Sequence, residues 1–198
     1  MNREIIAHYD GLIEMDNDPA RDPKPLREYM NKWDGDAFFN LLALDKSKSV
    51  LEIGVGTGRL AMRAARECGR FTGIDIAPKT IARARENLAG TKNASLICGD
   101  FLEHEFAEKF DVIYSSLTFM HIQRKQDAAA KIASLLNDGG RAVISIDKNR
   151  QTFIDAGFGK LEIWPDDPGQ ITECFRKTGL RLETIEETEF AFILLGRN

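Results

Sequence analysis

Two hydrophobic patterns alternate along the chain from Lys48 onward. Short, continuous apolar runs are followed by segments whose apolar positions recur at helical spacing. Continuous apolar runs are typical of strands buried on both faces. The predicted strands are SVLEIG, RFTGIDI, ASLICGD, KFDVIYSS and RAVISID. This alternation predicts an α/β fold with a parallel sheet and right-handed crossovers.

The intervening segments predict helices that end at glycine, the residue that most often follows a helix. Their sequences are RLAMRAARECG, PKTIARARENLAG, RKQDAAAKIASLLNDGG and PGQITECFRKTGL. Two further apolar runs, RLETIEE and EFAFILLG, are separated by almost nothing. Such a short connection cannot hold a crossover helix, so these runs must pair as an antiparallel hairpin. We therefore predict a doubly wound, seven-stranded sheet in which Glu189–Leu195 runs against its neighbours.

Residues 1–44 form a polar N-terminal section that Pro19, Pro23 and Pro25 interrupt. Its apolar positions predict short helices near 25–32 and 36–43, the second with Asp34 as its N-cap. We divide the chain into an N-terminal helical lid segment, 1–44, and a main domain, 45–198.

Composition narrows the class of protein. The chain has 198 residues, of which 43% are hydrophobic and 29% charged, with a net charge of −4. This is ordinary for one globular domain, and it argues against a nucleic-acid or anionic-membrane surface. Three dispersed cysteines without a CxxC predict neither a disulfide framework nor a metal site. The chain opens without an apolar leader, so we expect a cytoplasmic protein. We expect it to be a monomer or a homodimer. The charged runs at 63–66 and 183–189 are expected to be solvated faces.

Glycine and acidic residues cluster at the carboxyl ends of the predicted strands. Glu52 precedes a loop with Gly54, Gly56 and Gly58; Asp75 closes the second strand, and Asp100 follows the third. Open α/β sheets bind ligands at the carboxyl ends of their strands, where glycine lets a ligand approach the backbone. A carboxylate at 75 can accept both ribose hydroxyls, and one at 100 is placed for an exocyclic amine. The pattern therefore predicts a nucleoside-binding rim.

Two cofactors compete for this rim. A dinucleotide fold requires G-x-G-x-x-G, but here the third glycine comes one residue early and Arg59 follows it. Glu52 is a poor neighbour for a pyrophosphate and a good one for a cationic amino-acid head group. The loop therefore favours a nucleoside joined to a charged amino acid over a nicotinamide dinucleotide.

At these positions the chain resembles the class I S-adenosylmethionine-dependent methyltransferases, especially the small single-domain enzymes that act on small molecules. The resemblance covers roughly residues 47–147. It rests on VLEIGVGTGR, GIDI, CGDF, FDVIYSSLTFMHI and LLNDGGRAVISI. It implies a Rossmann-like fold and S-adenosylmethionine as cofactor, with S-adenosylhomocysteine as product. The cofactor-binding residues that it implies are Glu52, Gly54, Gly56, Gly58, Asp75, Ile76, Asp100, Phe101 and Ser115.

The sequence also offers candidates for the acceptor side of the site. His121 is the candidate base, because an ordinary histidine titrates near neutrality, although a structural role is the competing interpretation. Two short segments are added to the predicted core, residues 1–44 and the stretch 148–168 after the fifth strand. The candidate pocket residues are aromatics of these additions together with Phe119 on the same side of the sheet: Tyr9, Tyr29, Trp33, Phe119 and Trp164. Phe153 and Phe158 belong to the same group, and all of these rings could instead merely cover the sheet.

The expected function is methyl transfer to a small-molecule acceptor by in-line displacement, with the protein aligning and shielding the reactants. Both additions to the core are short, which favours a small acceptor over a macromolecule. The alternatives are a non-catalytic S-adenosylmethionine-binding regulator, a protein methyltransferase and a nicotinamide oxidoreductase.

Overall fold

A computed structural model describes residues 2–155 and 159–198. Its main sheet has seven strands: β1 (Ser49–Ile53), β2 (Arg70–Asp75), β3 (Ala94–Cys98), β4 (Phe110–Ser116), β5 (Leu136–Asp147), β8 (Arg181–Glu187) and β9 (Ala191–Arg197). A separate two-stranded sheet pairs β6 (Phe153–Asp155) with β7 (Lys160–Glu162). The helices are α1 (Asn2–Glu14), α2 (Lys24–Met30), α3 (Gly35–Leu42), α4 (Ala61–Glu67), α5 (Pro78–Asn87), α6 (Lys125–Leu135) and α7 (Pro168–Thr178).

The strand order is β3-β2-β1-β4-β5-β9-β8. The first five strands of this order are parallel, and β9 pairs antiparallel with both β5 and β8. A tight turn joins the last two strands, with the Thr188 amide donating to the Ala191 carbonyl at 2.9 Å. The predicted seven-stranded Rossmann-like sheet with an antiparallel C-terminal strand is confirmed.

Both faces of the sheet are covered, as the continuous apolar runs predict. All five residues of β1 are buried. Leu51 and Ile53 pack into the core beneath α6 and α7, whereas Val50 faces the opposite core with α3 and α4. Burial on two faces holds the strand ends in fixed positions, and the site residues follow those ends.

Three elements differ from the sequence-based expectation. The N-terminal thirteen-residue helix α1 was not predicted. Helix α6 ends at Leu135 instead of continuing to the glycines, because Leu136 already pairs with Phe110 of β4. The short β6–β7 hairpin lies in a stretch predicted only as an addition to the core. Phe158, named above, lies outside the described residues.

The second half of the N-terminal section is fastened to one end of the sheet. The Lys32 carbonyl accepts hydrogen bonds from the Phe190 amide and the Thr188 hydroxyl, and the Trp33 carbonyl accepts one from Ser145 Oγ. Within the described ranges, no helix combines the length and apolar composition that crossing a bilayer requires.

Candidate cofactor and acceptor site

A cavity of about 480 Å³ lies at the carboxyl ends of β1, β2 and β4, beside the turn after β3. Its volume is in the range of small-molecule sites. Among the described residues, its lining includes most of the predicted cofactor set: Glu52, Gly54, Gly56, Asp75, Ile76, Asp100 and Phe101. The strand ends therefore bring together residues that are 48 positions apart in sequence, from Glu52 to Asp100.

The glycine loop has the geometry that a close-approaching ligand requires. Gly54 and Gly56 have φ of 75° and 56°, in the left-handed region that favours glycine. A Cβ at Gly54 would lie 2.1 Å from Thr118 Oγ1, so no other residue fits there. A Cβ at Gly56 would meet nothing within 4 Å, which leaves its backbone open to the cavity.

Asp75 is held between the loop and the start of α5. Its Oδ2 accepts from the Gly56 amide at 2.9 Å, and its Oδ1 accepts from the Ala77 amide at 3.0 Å. Burial raises the pKa of this carboxyl, while the backbone donors oppose the shift. The carboxylate thus fixes the loop and lines the cavity at the position predicted for the ribose.

The predicted adenine side of the cavity combines one acid with apolar surface. Asp100 Oδ1 accepts from the Leu102 amide at 2.8 Å, which stabilises the turn after β3. Ile76 and Phe101 both line the cavity, and Phe101 is also part of the buried core. An acid beside apolar side chains suits a base that is stacked and hydrogen-bonded at its edge.

Glu52 is buried at the base of the cavity. The Tyr114 hydroxyl donates to its Oε2 at 2.8 Å. Burial raises the pKa of Glu52 to about 8, although the Tyr114 hydrogen bond and the charge of Arg59 act in the opposite direction. Its carboxyl is therefore mostly protonated at neutral pH and gains an ionised state when a cation approaches.

A network that the sequence analysis did not predict joins the lid segment to the cavity wall. Arg59 lines the cavity and donates through both terminal nitrogens to Asp34, which is buried. Asp34 also accepts from Ser116 Oγ at 2.8 Å and from the Gly35 amide at 2.9 Å. Asp34 thus caps α3 as predicted, but most of its hydrogen bonds hold Arg59 and Ser116.

The structure separates Gly58 and Ser115 from the other predicted cofactor residues. Neither is among the described residues that line the cavity. Ser115 is fully buried, and its Oγ donates to the Ile53 carbonyl at 2.9 Å. Its neighbour Ser116 lines the cavity instead. Gly58, with φ of 95°, packs against Leu88 and turns the chain into α4.

Tyr9 and His121 meet at the far side of the cavity, and both line it. The Tyr9 hydroxyl lies 2.7 Å from His121 Nε2, a hydrogen bond whose donor depends on the histidine tautomer. Burial lowers the pKa of His121 to about 4, and it raises the pKa of Tyr9. His121 Nδ1 is buried without a partner among the described residues. The pKa of His121 thus lies below the ordinary histidine value on which the prediction of a base rests, and the ring is uncharged over the whole neutral range.

The other predicted pocket aromatics lie elsewhere. Tyr29 and Trp33 pack edge-to-face with ring centroids 5.5 Å apart and contact Phe190, and Trp33 Nε1 donates to Asp147. Phe119 is buried in the core. The Trp164 amide donates to the Met120 carbonyl. None of these four lines the cavity in the described part of the chain, whereas Ile5, Pro19 and Met30 of the lid segment do.

Comparisons with known proteins agree with this fold. Residues 50–140 match the family described as a methyltransferase domain. A malonyl-[acyl-carrier protein] O-methyltransferase of Anoxybacillus flavithermus is 34% identical over 116 residues, which are 58% of this chain and 42% of that protein. An uncharacterized methyltransferase of Bacillus cereus is 29% identical over 170 residues, 80% of this chain and 67% of that protein. The chain thus spans between about two fifths and two thirds of the length of these relatives.

Solved structures share the fold at low sequence identity. The N-methyltransferase NodS from Bradyrhizobium japonicum, in complex with S-adenosylhomocysteine, aligns with a TM-score of 0.67 and 22% identity, covering 90% of this chain and 94% of NodS. An S-adenosylmethionine-dependent methyltransferase from Mesorhizobium loti aligns with a TM-score of 0.70 and 16% identity. The alignment covers 83% of this chain and 97% of that protein.

Fold and site together describe a doubly wound α/β domain with a cavity at its strand ends. Residues 50–140 match a methyltransferase domain, and the sequence and structure comparisons support a class I S-adenosylmethionine-dependent methyltransferase with S-adenosylmethionine as its cofactor. The residues present fit that cofactor, because an open glycine backbone at Gly56 adjoins the carboxyl groups of Glu52 and Asp75.

Proposed function

We propose that this enzyme methylates a small-molecule acceptor that enters the cavity beneath α1 and lies against Tyr9 and His121. The observation that carries the proposal is the composition of the cavity. One side has the glycine loop and the acids expected for the cofactor, and the other has an uncharged, hydrogen-bonded Tyr9–His121 pair among apolar residues. Residues 1–44 serve as the lid segment, with α1 as the part that covers the cavity.

On the cofactor side, the proposed contacts follow the order of the strands. Glu52 faces the ammonium group of the methionine part, and the backbone of Gly54 and Gly56 lies against that part. Asp75 accepts from the ribose hydroxyls, Asp100 accepts from the adenine amine, and Ile76 and Phe101 contact the ring. The bound cofactor supplies an electrophilic methyl group on a sulfonium sulfur. The protein fixes its position and excludes water.

On the acceptor side, Tyr9 and His121 orient the acceptor. With its pKa lowered to about 4, His121 is a weak base at neutral pH, so we assign it hydrogen bonding to the acceptor as its main role. Its unpartnered Nδ1 and the Tyr9 hydroxyl offer one donor and one acceptor, whichever tautomer is present. A neutral acceptor with a hydroxyl or amine group fits this pair better than an ionised one.

The test is a screen of metabolite extracts with methyl-labelled S-adenosylmethionine, followed by identification of the labelled product. Tyr9→Phe and His121→Ala are expected to lower transfer while binding S-adenosylhomocysteine as the parent does. Phe39→Leu is a control for general loss of packing, because that residue lies in the core away from the cavity. If the labelled product is a protein that requires neither side chain, the proposal of a small acceptor at Tyr9 and His121 is wrong.

A further inference from the structure

A second cleft, of about 360 Å³, lies between the lid segment and the outer face of α4. Four of its seven lining residues are arginines, and we refer to it as the arginine cleft: Ala20, Arg27, Arg59, Met62, Arg63, Arg66 and Glu67. The chain as a whole carries a net charge of −4, so a cluster of four arginines around one cleft is opposite in sign to the charge of the whole protein. The sequence analysis predicted only a solvated face at 63–66. The structure shows that Arg27, from α2, closes the other side of this face.

Two of the four guanidinium groups are already fixed. Arg59 is held by Asp34 through two hydrogen bonds. Arg63 donates to Asp36 and Glu67, and its guanidinium lies 4.0 Å from the centroid of the Phe39 ring. Groups held in this way lose little side-chain entropy when they bind a ligand.

The other two guanidinium groups have no such partner. Arg27 and Arg66 are exposed, and within residues 2–155 and 159–198 neither has a carboxylate within 4.0 Å. Asp22 is close enough for the charges of Arg59 and Arg27 to oppose the burial that raises its pKa, but it forms no ion pair with them. The cleft thus retains two unpaired positive charges beside two fixed ones.

We propose that the arginine cleft is a second binding site, which takes a phosphate group. Guanidinium groups match the oxygens of phosphate in geometry. The carboxylates of Asp34, Asp36 and Glu67 pair with Arg59 and Arg63, which leaves the charges of Arg27 and Arg66 for a bound anion. Arg59 lines both cavities, so a phosphate bound here lies one side chain away from the methyl-transfer site. This site goes beyond the proposed function, because it does not depend on which atom is methylated.

The test measures binding of pyrophosphate to the full chain by amide chemical shifts in two-dimensional NMR. Saturable shifts are expected for amides of α2 and α4, and sodium chloride at matched ionic strength should not reproduce them. The double variant Arg27→Gln/Arg66→Gln should bind at least about tenfold more weakly, because charge-assisted hydrogen bonds are lost. The control double variant Arg176→Gln/Arg181→Gln removes the same two charges from exposed positions outside the cleft and should bind as the parent does.

Thermal unfolding of the ligand-free variants shows whether each is folded. Equal pyrophosphate affinity in the parent and the folded double variant, or shifts that chloride reproduces, would overturn the proposal. The methyl-labelled product of the transfer reaction distinguishes the two possible sources of the phosphate group. If phosphatase treatment changes this product, the phosphate belongs to the methyl acceptor. If pyrophosphate alters the rate of methyl transfer but the product resists phosphatase, the phosphate belongs to a separate ligand. Methyl transfer that responds neither to pyrophosphate nor to the double substitution would contradict a functional role for the cleft.

Discussion

Among single residues, Asp75 combines two tasks, because it fixes the glycine loop through the Gly56 amide and lines the cavity. We expect Asp75→Ala to lose charge-assisted hydrogen bonds to the ribose worth about 1.5–3 kcal/mol. Affinity for S-adenosylmethionine should fall roughly 10–150-fold, as measured by calorimetry. Asp138→Ala, an exposed acid distant from the cavity, is the matched control. An unchanged dissociation constant in the folded variant would remove Asp75 from the site.

Glu52 should couple cofactor binding to pH. Its pKa of about 8 leaves the carboxyl mostly protonated in the free protein at pH 7. An ammonium group beside it favours the ionised form, so binding should release most of one proton. Calorimetry of S-adenosylhomocysteine binding in buffers with different ionisation enthalpies measures this release. Glu52→Gln should abolish it, and the same release in that variant would show that another group titrates.

The residues of the site were predictable to the extent that strand ends fix them. Glu52, Asp75 and Asp100 follow from the rule that parallel strands end at one edge of the sheet. The choice between Ser115 and Ser116 was not predictable, because neighbouring strand residues face opposite ways and no apolar partner marks the face at the end of β4. Arg59 was noted only as a departure from a dinucleotide motif, since its partner Asp34 is 25 positions away.

At the scale of elements, α1 is the part of the lid segment most able to open. The bonds that hold it are concentrated in a few places: Tyr9 with His121, and Asp10 and Glu14 with Lys79. By contrast, residues 32–33 are bonded to the sheet through backbone carbonyls. We therefore expect the lid movement in α1, with residues 32–33 staying bonded to the sheet.

We expect S-adenosylhomocysteine to protect the α1 amides from hydrogen exchange, because a filled cavity adds contacts beneath Ile5 and Tyr9. Amides of α7 serve as the internal control, since α7 packs on the sheet away from the cavity. A variant lacking residues 1–30 should fold, bind the cofactor weakly and transfer no methyl group. Identical exchange in α1 with and without ligand would show that the segment is only an extension.

Most elements were predictable because their apolar periodicity is strong, and the failures have physical reasons. The sequence of α1 does contain apolar residues at helical spacing, namely Ile5, Tyr9 and Leu12. The charged residues among them and the prolines that follow made this pattern hard to recognise as a helix. The end of α6 was misplaced because glycines were taken as the stop. Strand pairing of Leu136 with Phe110 ends the helix earlier, and such a tertiary contact leaves no local signal.

For the whole molecule, a buried ion pair connects the segment after β5 to the main core. Lys125 Nζ lies 2.6 Å from Asp166 Oδ1 and also donates to the carbonyls of Phe119 and Trp164. We expect Lys125→Met to lower the free energy of unfolding by about 3–5 kcal/mol, because Asp166 is left buried without its partner. Urea denaturation measures the loss, and Lys125→Met/Asp166→Leu should recover much of it. A loss under about 1 kcal/mol in the single variant would contradict this role.

The position of β9 has a consequence for the order in which the protein is made. This strand follows all the others in the described chain, yet it lies between β5 and β8. A nascent chain that has emerged only as far as Glu187 therefore exposes the open edge of β5, and β8 has no strand beside which to dock. Until the ribosome releases residues 191–197, the half-built sheet is a candidate for chaperone binding or for misassociation with another nascent copy.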